Sequence, residues 1–256
     1  MINNSIVNAF SDSINSGNPA AVYIVNAFPS SYAMQEIATK NNLSETAFLK
    51  NINKNQYQIR WFTPNSEAPI CIHATLASAY CLYENDLVNY NDSIEFLNLN
   101  NKFIASKTLD WINLNAPSIE IKAIQSNKLI NEILKNCNVE YLGLSENILF
   151  AELKDKNEVR NFNPNLNLIL KLPYRALLIT SRDDEYDFIS RYFAPSVGID
   201  EDPVCGSAHC RLIPYWAKKL GKASMMAYQA SKRGGVIKCQ NLTDKVIISG
   251  KTITVS

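Results

Sequence analysis

The sequence predicts an α+β protein of two pseudo-symmetric halves, each a curved, barrel-like β-sheet wrapped around a central buried helix. One set of motifs occurs twice in the 256 residues, at a spacing of about half the chain. A repeat of that length indicates two similar halves, because a solenoid needs several short units. Each copy leads into an apolar segment, and strand-like segments outnumber helical ones in the rest of the chain.

The repeated motif contains Arg-aromatic-Phe-x-Pro, then Glu-x-Pro-x-Cys, then small and apolar residues. The first copy begins at Arg60 and the second at Arg191. The spacing from the glutamate onward is constant, with Glu67 matching Glu201, Pro69 matching Pro203, Cys71 matching Cys205 and Ala74 matching Ala208. We expect the two Pro-x-Cys turns to face one cleft between the halves, where small-molecule sites are common.

Two motif helices are predicted, at about residues 73–84 and 206–220. The first carries no charge from Ala74 to Leu82, and a helix that is apolar all round is buried all round. The second becomes basic only at Lys218 and Lys219, and Pro214 should kink it or end its first segment.

The remaining elements follow from alternation, apolar runs and caps. Strands are predicted at 57–61, 93–97, 175–180, 187–193, 244–249 and 251–255, and helices at 31–40, with a serine cap, 126–136 and 155–162. The boundary falls near Pro117, which gives an N-terminal half of 1–116 and a C-terminal half of 117–256. A return of the last strand, about 246–256, to the first half stays open.

Composition excludes several classes of function. The net charge is +1 and the basic residues are dispersed, so no nucleic-acid partner is indicated. No apolar run reaches the roughly 18 residues of a membrane span, and the N-terminus lacks a signal-peptide pattern. A cytoplasmic location is therefore predicted. A homodimer is the candidate assembly.

The six cysteines contain no CxxC pair, so reduced thiols are expected. His73 and His209 lie beside cysteines, but no tetrahedral ligand spacing is evident, so neither a metal nor another cofactor is predicted.

Each motif helix begins just after a proline and a cysteine. Unpaired amides and the helix dipole at such a start favour a carboxylate or an enolate-like oxygen. His73 lies at the first start, and Asp202 and Ser207 lie at the second. A histidine on a buried helix is more often a core group, and Asp202 could be a simple turn residue, but two polar copies favour a site.

Glu45 enters an apolar strand in Leu-Ser-Glu-Thr-Ala-Phe-Leu at 43–49. Composition alone favours an exposed strand-edge glutamate. A buried carboxylate would instead be held nearer its neutral form, which suits a proton shuttle.

Six motifs, in order, resemble the phenazine-biosynthesis PhzF-like family, which is related in fold to diaminopimelate epimerase and proline racemase. They are Ser-Gly-Asn-Pro-Ala-Ala-Val at 16–22, Ser-Glu-Thr-Ala-Phe at 44–48, Arg-Trp-Phe-Thr-Pro at 60–64, Cys-Ile-His-Ala-Thr-Leu-Ala at 71–77, Asp-Glu-Asp-Pro-Val-Cys-Gly-Ser-Ala-His-Cys at 200–210 and Gln-Ala-Ser-Lys-Arg-Gly-Gly at 229–235. The resemblance covers nearly the whole chain and implies two halves with the active site between them.

The resemblance also implies roles. Glu45 would move a proton, and His73 and Asp202 would orient a small carboxylate substrate or assist the transfer. Substrate binding would fall to Gly206 and Ser207, with Asn18 and Ile72 as further candidates. The phenazine enzyme isomerises a dihydro-hydroxyanthranilate.

Three positions depart from the family pattern. Ile72 replaces the usual glycine and adds bulk beside the expected pocket. Asn8 stands where aspartate is frequent, and Ala68 where valine is common.

Two alternatives to the isomerase stay open. In a two-cysteine racemase or epimerase, Cys71 and Cys205 would be the acid–base pair, because a helix start lowers the pKa of a thiol. In a non-catalytic binding homologue, the fold would be kept without the chemistry.

Overall fold

The computed structural model describes residues 3–99 and 101–255. It divides into two compact units, Met1–Ala116 with Ile247–Ser256, and Pro117–Val246. Across the described ranges, every helix is too short or too polar to span a membrane.

The elements are bounded as follows. The helices are α1 (Ser31–Asn41), α2 (Ile72–Glu84), α3 (Lys128–Ile133), α4 (Lys156–Arg160), α5 (Leu166–Ile169) and α6 (Gly206–Leu220). The strands are β1 (Asn3–Ala9), β2 (Asn18–Val25), β3 (Glu45–Asn53), β4 (Gln56–Phe62), β5 (Glu67–Ala68), β6 (Ile94–Leu97), β7 (Lys102–Thr108), β8 (Trp111–Pro117), β9 (Lys122–Ala123), β10 (Val139–Ser145), β11 (Ile148–Leu153), β12 (Ala176–Arg182), β13 (Phe188–Phe193), β14 (Ser224–Gln229), β15 (Gly235–Asn241), β16 (Lys245–Gly250) and β17 (Thr252–Thr254).

The two units repeat one pattern of strand pairing. In the first unit, strands β1, β2, β3, β4, β6 and β7 pair in that order, alternately antiparallel and parallel. In the second unit, strands β10 to β15 pair in chain order with the same alternation. The motif strands β4 and β13 therefore hold equivalent places, which confirms the predicted α+β fold of two similar halves.

Helix α2 is buried along almost its whole length. Eleven of its thirteen residues are buried, and it contacts β1, β2, β3, β7 and β17 of the first unit. The chain from Ile72 to Tyr83 carries no formally charged side chain at neutral pH, which makes this burial inexpensive.

Pro214 does not end a segment of α6, because the helix continues through it to Leu220. Of the two predicted effects of this proline, a kink or an end, the end is wrong. A proline cannot donate to the carbonyl four residues earlier, which here belongs to Cys210. The amide of Ile119 donates to that carbonyl instead, at 2.9 Å. A segment from elsewhere in the unit thus replaces the missing helical hydrogen bond.

Some predicted helix limits were also wrong. Ser30, not Ser31, caps α1, because its hydroxyl accepts from the amide of Ala33. Helices α3 and α4 are shorter than the sequence pattern predicts, and side chains of Asn127 and Asp155 cap them.

The repeated arginine and glutamate form a forked ion pair in each unit. Arg60 donates to both carboxylate oxygens of Glu67 at 2.8 and 2.6 Å. Arg191 donates to both oxygens of Glu201 at 2.6 and 2.9 Å, and also to the carbonyl of Phe162 at 2.6 Å. The arginine and glutamate side chains are 26% and 40% exposed in the first pair, but 12% and 22% in the second. The ion pair thus has a structural role in each unit: it connects the motif strand to the segment that precedes the motif helix.

Candidate functional site

A cluster of three chemically active side chains lies in the first unit. The carboxylate of Glu45, the thiol of Cys71 and the imidazole of His73 offer ligand atoms that all lie within 4.8 Å of one another. The thiol sulfur is 3.3 Å from Nδ1 of His73. All three residues are buried. The structure thus brings together the proposed proton carrier, the proposed orienting histidine and the first alternative thiol.

Glu45 is buried because β3 is an interior strand. It is the first residue of β3 and pairs in parallel with Ala20 of β2, while the adjacent Thr46 pairs with Phe62 of β4. Only 5% of Glu45 is exposed. The exposed strand-edge position favoured by composition alone is therefore wrong.

Asn18 reaches the cluster from the start of β2. Its Nδ2 lies 3.4 Å from Nδ1 of His73. Gly17 makes this entry possible, because its φ is +73° and an added Cβ would lie 2.3 Å from the carbonyl oxygen of Ala9. A residue with a side chain would be strained there and would clash with backbone.

The start of α2 supplies the other two members. Cys71 is the N-cap residue, but its side chain does not cap the helix. The hydroxyl of Thr75 donates to the Cys71 carbonyl at 2.6 Å. Ile72, which replaces the family glycine, is 2% exposed and belongs to the hydrophobic core.

His73 is electrically neutral at physiological pH. Burial lowers its pKa to about 3, because an imidazolium ion loses its hydration there. The ring can accept or donate a hydrogen bond, but it is not a cationic acid.

A second cluster surrounds the start of α6 in the second unit. Cys205 is the N-cap residue, and its sulfur lies 3.3 Å from the hydroxyl of Ser207. A carboxylate oxygen of Asp202 accepts from the amide of Val204 at 3.1 Å. Asp202 and Ser207 are half-buried, and Gly206 is buried. The predicted second-half residues are therefore brought together, and Asp202 also serves as a turn residue.

The pKa of the Cys205 thiol is raised, whereas its position at a helix start alone predicts a lowered pKa. Burial raises its pKa, and the negative charge of Asp202 raises it further. Loss of solvation outweighs the helix dipole at this position. The expectation of a lowered thiol pKa is wrong for Cys205.

Gln229 is a positioning residue that the sequence did not identify. Its side chain is fully buried, accepts from the amide of Cys205 at 2.8 Å and donates to the carbonyl of Asp202 at 2.7 Å. The hydroxyl of Ser231 donates to the carbonyl of Pro203 at 2.6 Å. The Gln-Ala-Ser motif at 229–231 thus holds the backbone of the turn that carries Asp202 and leads into α6.

Gln229→Met is expected to destabilise the second unit by about 2–4 kcal/mol. The variant keeps most of the side-chain volume. It leaves the buried amide of Cys205 without the Gln229 acceptor, at about 1–3 kcal/mol, and removes the hydrogen bond to the carbonyl of the half-buried Asp202, at about 0.5–1.5 kcal/mol. Urea denaturation followed by circular dichroism would measure the change. Gln240→Met, at an exposed position near the end of β15, is the matched control and should change stability by less than about 0.5 kcal/mol. Equal effects at the two positions would contradict the positioning role.

The carbonyl of each N-cap cysteine accepts a hydrogen bond from a side chain four residues later. In α2 the donor is the hydroxyl of Thr75. In α6 it is Nδ1 of His209, at 2.9 Å. His209 is fully buried, and burial lowers its pKa to about 4 although the hydrogen bond opposes the shift.

His209 should make the protein sensitive to mild acid. Its pKa falls from 6.5 to about 4 on folding, so the unfolded chain binds the extra proton and stability declines as pH falls from about 6.5 to 4. The expected loss at pH 5 is about 2 kcal/mol relative to pH 8. Unfolding free energies of wild type and His209→Gln across this range would test it. His73 also lowers stability as the pH falls, but it does so in both proteins. If the difference in unfolding free energy between wild type and His209→Gln is the same at pH 8 and pH 5, the role of His209 is refuted.

Comparison with known proteins identifies the family of the chain. The sequence profile of the phenazine biosynthesis-like proteins, PhzC-PhzF, matches residues 7–256. The chain belongs to this family. An uncharacterized isomerase of Halalkalibacterium halodurans is 42% identical over 254 residues, which cover 98% of this chain and 95% of the relative.

Solved structures of PhzF-family proteins are similar throughout. The Enterococcus faecalis member superposes with a TM-score of 0.94 at 36% identity, covering all of this chain and 97% of the other. A hydroxyproline epimerase of Agrobacterium vitis, solved with bound trans-4-hydroxy-L-proline, has a TM-score of 0.66 at 10% identity and covers 100% and 91% of the two chains. At that identity the second likeness concerns the fold alone. Among the relatives of this PhzF-like chain, those from Halalkalibacterium halodurans and Pseudomonas aeruginosa are named isomerases.

Proposed function

We propose that this PhzF-like protein is an isomerase that moves a proton on a small carboxylate-bearing substrate and needs no cofactor. The observation that carries the proposal is the burial of Glu45 beside His73, with ligand atoms within 4.8 Å. A carboxylate and a neutral imidazole at the start of a buried helix form a suitable pair for general acid–base catalysis.

The proposed reaction is a proton transfer between two carbons of the substrate and needs no oxidant. The carboxylate of Glu45 takes a proton from a saturated carbon next to a double bond that is conjugated with the substrate carboxylate, and the electron pair of that C–H bond delocalises into an enolate-like system. The proton then returns to a different carbon, so one C–H bond breaks, another forms and a double bond shifts. His73, neutral because its pKa is lowered, orients the substrate by hydrogen bonding, with Asn18 beside it.

Charge developing on the substrate would be stabilised by helix starts. The amides at Ile72 and at Gly206 to Ser207 belong to the first turns of α2 and α6, and both N-cap cysteines leave these turns without a side-chain cap. Such amides favour an anion or an enolate oxygen. We propose that both starts act on one substrate molecule, with Asp202 assisting the transfer; the repeat and the family membership support this.

A two-cysteine racemase is the alternative function. Cys71 and Cys205 occupy equivalent N-cap positions, which is the arrangement that such a mechanism needs. The raised pKa of Cys205 argues against its serving as the base of such a pair, because a thiol that keeps its proton is a poor base.

Solvent deuterium incorporation tests the proposal. The purified protein would be incubated in D₂O with a dihydro-hydroxyanthranilate, trans-4-hydroxy-L-proline and a panel of D- and L-amino acids, and mass spectrometry would detect exchange. Exchange accompanied by a shifted double bond supports the isomerase, and exchange with inversion at one carbon supports the racemase. Tight binding of a probe without exchange would favour a non-catalytic homologue.

A further inference from the structure

The Glu45, Cys71 and His73 cluster combines a carboxylate, a thiol and an imidazole, which are the three protein donors that zinc uses. We propose that these three side chains form a zinc-binding site, and that occupancy by Zn²⁺ inhibits the enzyme. The inhibition rests on the proposed function, whereas metal binding does not.

The spacing of the donors is close to that of a tetrahedral site. Bonds of about 2.0–2.3 Å place tetrahedral donors roughly 3.3–3.8 Å apart. The sulfur of Cys71 is already 3.3 Å from Nδ1 of His73, and no pair in the cluster exceeds 4.8 Å. A contraction of about 1 Å at the widest pair completes the geometry. The fourth position is left for water or an added carboxylate, as in zinc sites with three protein ligands.

The charges of the zinc ion and its three proposed ligands sum to zero. A carboxylate and a thiolate supply two negative charges, His73 is neutral as a ligand, and the ion supplies two positive charges. A buried site of zero net charge avoids most of the cost of burying an isolated ion. On binding, the S–H proton of Cys71 passes to solvent, as is general for thiol ligands.

The repeat supplies an internal comparison. The first helix start contains Cys71-Ile72-His73, whereas the second contains Cys205-Gly206-Ser207. The second copy has a hydroxyl where the first has an imidazole. Among the described residues, this cluster is the one group of three such donors whose ligand atoms lie close enough together to share a metal ion. We therefore expect one zinc ion per chain.

Zinc would inhibit the enzyme because its ligands are residues of the proposed active site. Coordination uses the carboxylate lone pairs of Glu45, so this group can no longer accept a proton. It also fixes His73, the proposed orienting residue. Bound zinc would thus block both Glu45, the proposed base, and His73, the proposed orienting residue.

The test begins with metal-free protein titrated with Zn²⁺ in competition with a chromogenic chelator. One site per chain is expected. Glu45→Gln, Cys71→Ser and His73→Asn should each weaken zinc by at least about 100-fold, since even loss of an outer-shell partner costs 10–100-fold. Cys205→Ser is the matched control and should bind zinc as tightly as wild type. Cobalt(II) should give sulfur-to-metal charge-transfer absorption in wild type and in Cys205→Ser, but not in Cys71→Ser.

The site is refuted if wild type binds no zinc, or if zinc binds equally well to all three ligand variants. Circular dichroism of the metal-free variants identifies any that fail to fold, and the folded ones decide. Deuterium exchange without metal tests the proposed function separately. Full exchange by the zinc-saturated enzyme would refute inhibition by zinc. A lack of exchange with every probe would also refute the inhibition, because there would be no activity to inhibit, whereas the zinc titration would still show whether the site exists.

Discussion

Glu45→Gln is expected to reduce solvent hydrogen exchange into the substrate by about 10² to 10⁴, the usual contribution of general acid–base catalysis. The amide is nearly the size of the carboxylate and still forms hydrogen bonds, but it cannot carry the proton. Substrate affinity should change little. Deuterium wash-in at saturating substrate, with binding measured by calorimetry, separates the two effects.

The two cysteines provide the controls. If Glu45 carries the proton, Cys205→Ser should reduce exchange only modestly, because the thiol contributes packing at the start of α6 and a contact to Ser207. If a two-thiol mechanism operates, Cys71→Ser and Cys205→Ser should each stop racemisation and Glu45→Gln should matter little. A Glu45→Gln enzyme that exchanges at the wild-type rate would exclude Glu45 as the base.

Arg191→Ala should destabilise the second unit by about 2–4 kcal/mol, somewhat below the roughly 3–5 kcal/mol lost when one partner of a fully buried ion pair is removed, because this pair is only partly buried. The substitution leaves the carboxylate of Glu201 without its forked partner and removes the donor to the carbonyl of Phe162. Urea denaturation would measure the shift. Arg191→Met combined with Glu201→Leu should recover part of the loss, because no unpaired charge then remains.

Arg60→Ala is the control that the repeat itself provides. It breaks the same forked pair in the first unit, but there the partners are more exposed, so the expected loss is about 1 kcal/mol. Equal losses at Arg60 and Arg191 would show that burial does not set the strength of this pair.

The sequence predicted the fold class because the relevant signals are local or repeated. The charge-free run after His73 predicts a buried helix, and the duplicated arginine and glutamate predict two similar halves. Pro214 shows the limit of local signals. The amide that replaces its missing hydrogen bond belongs to Ile119, far away in the chain, and no pattern around the proline indicates it.

The sequence predicted which residues belong to the candidate site, but not which groups they contact. Glu45 is ambiguous in sequence because its burial depends on the neighbours that β3 acquires in the sheet. The role of Gln229 likewise depends on two backbone groups at Asp202 and Cys205. A glutamine at a strand end carries no sign of such partners.

The first unit is discontinuous in the chain, and this bears on how it is made. Strand β1 lies between β2 and β17, and β17 belongs to the closing segment Ile247–Ser256. During translation the second unit can emerge and fold while the first still lacks an edge of its sheet. Completion of the first unit therefore waits until residues 247–256 have left the ribosome. A ribosome that stalls before this segment would leave the first-made unit, rather than the second, unfinished.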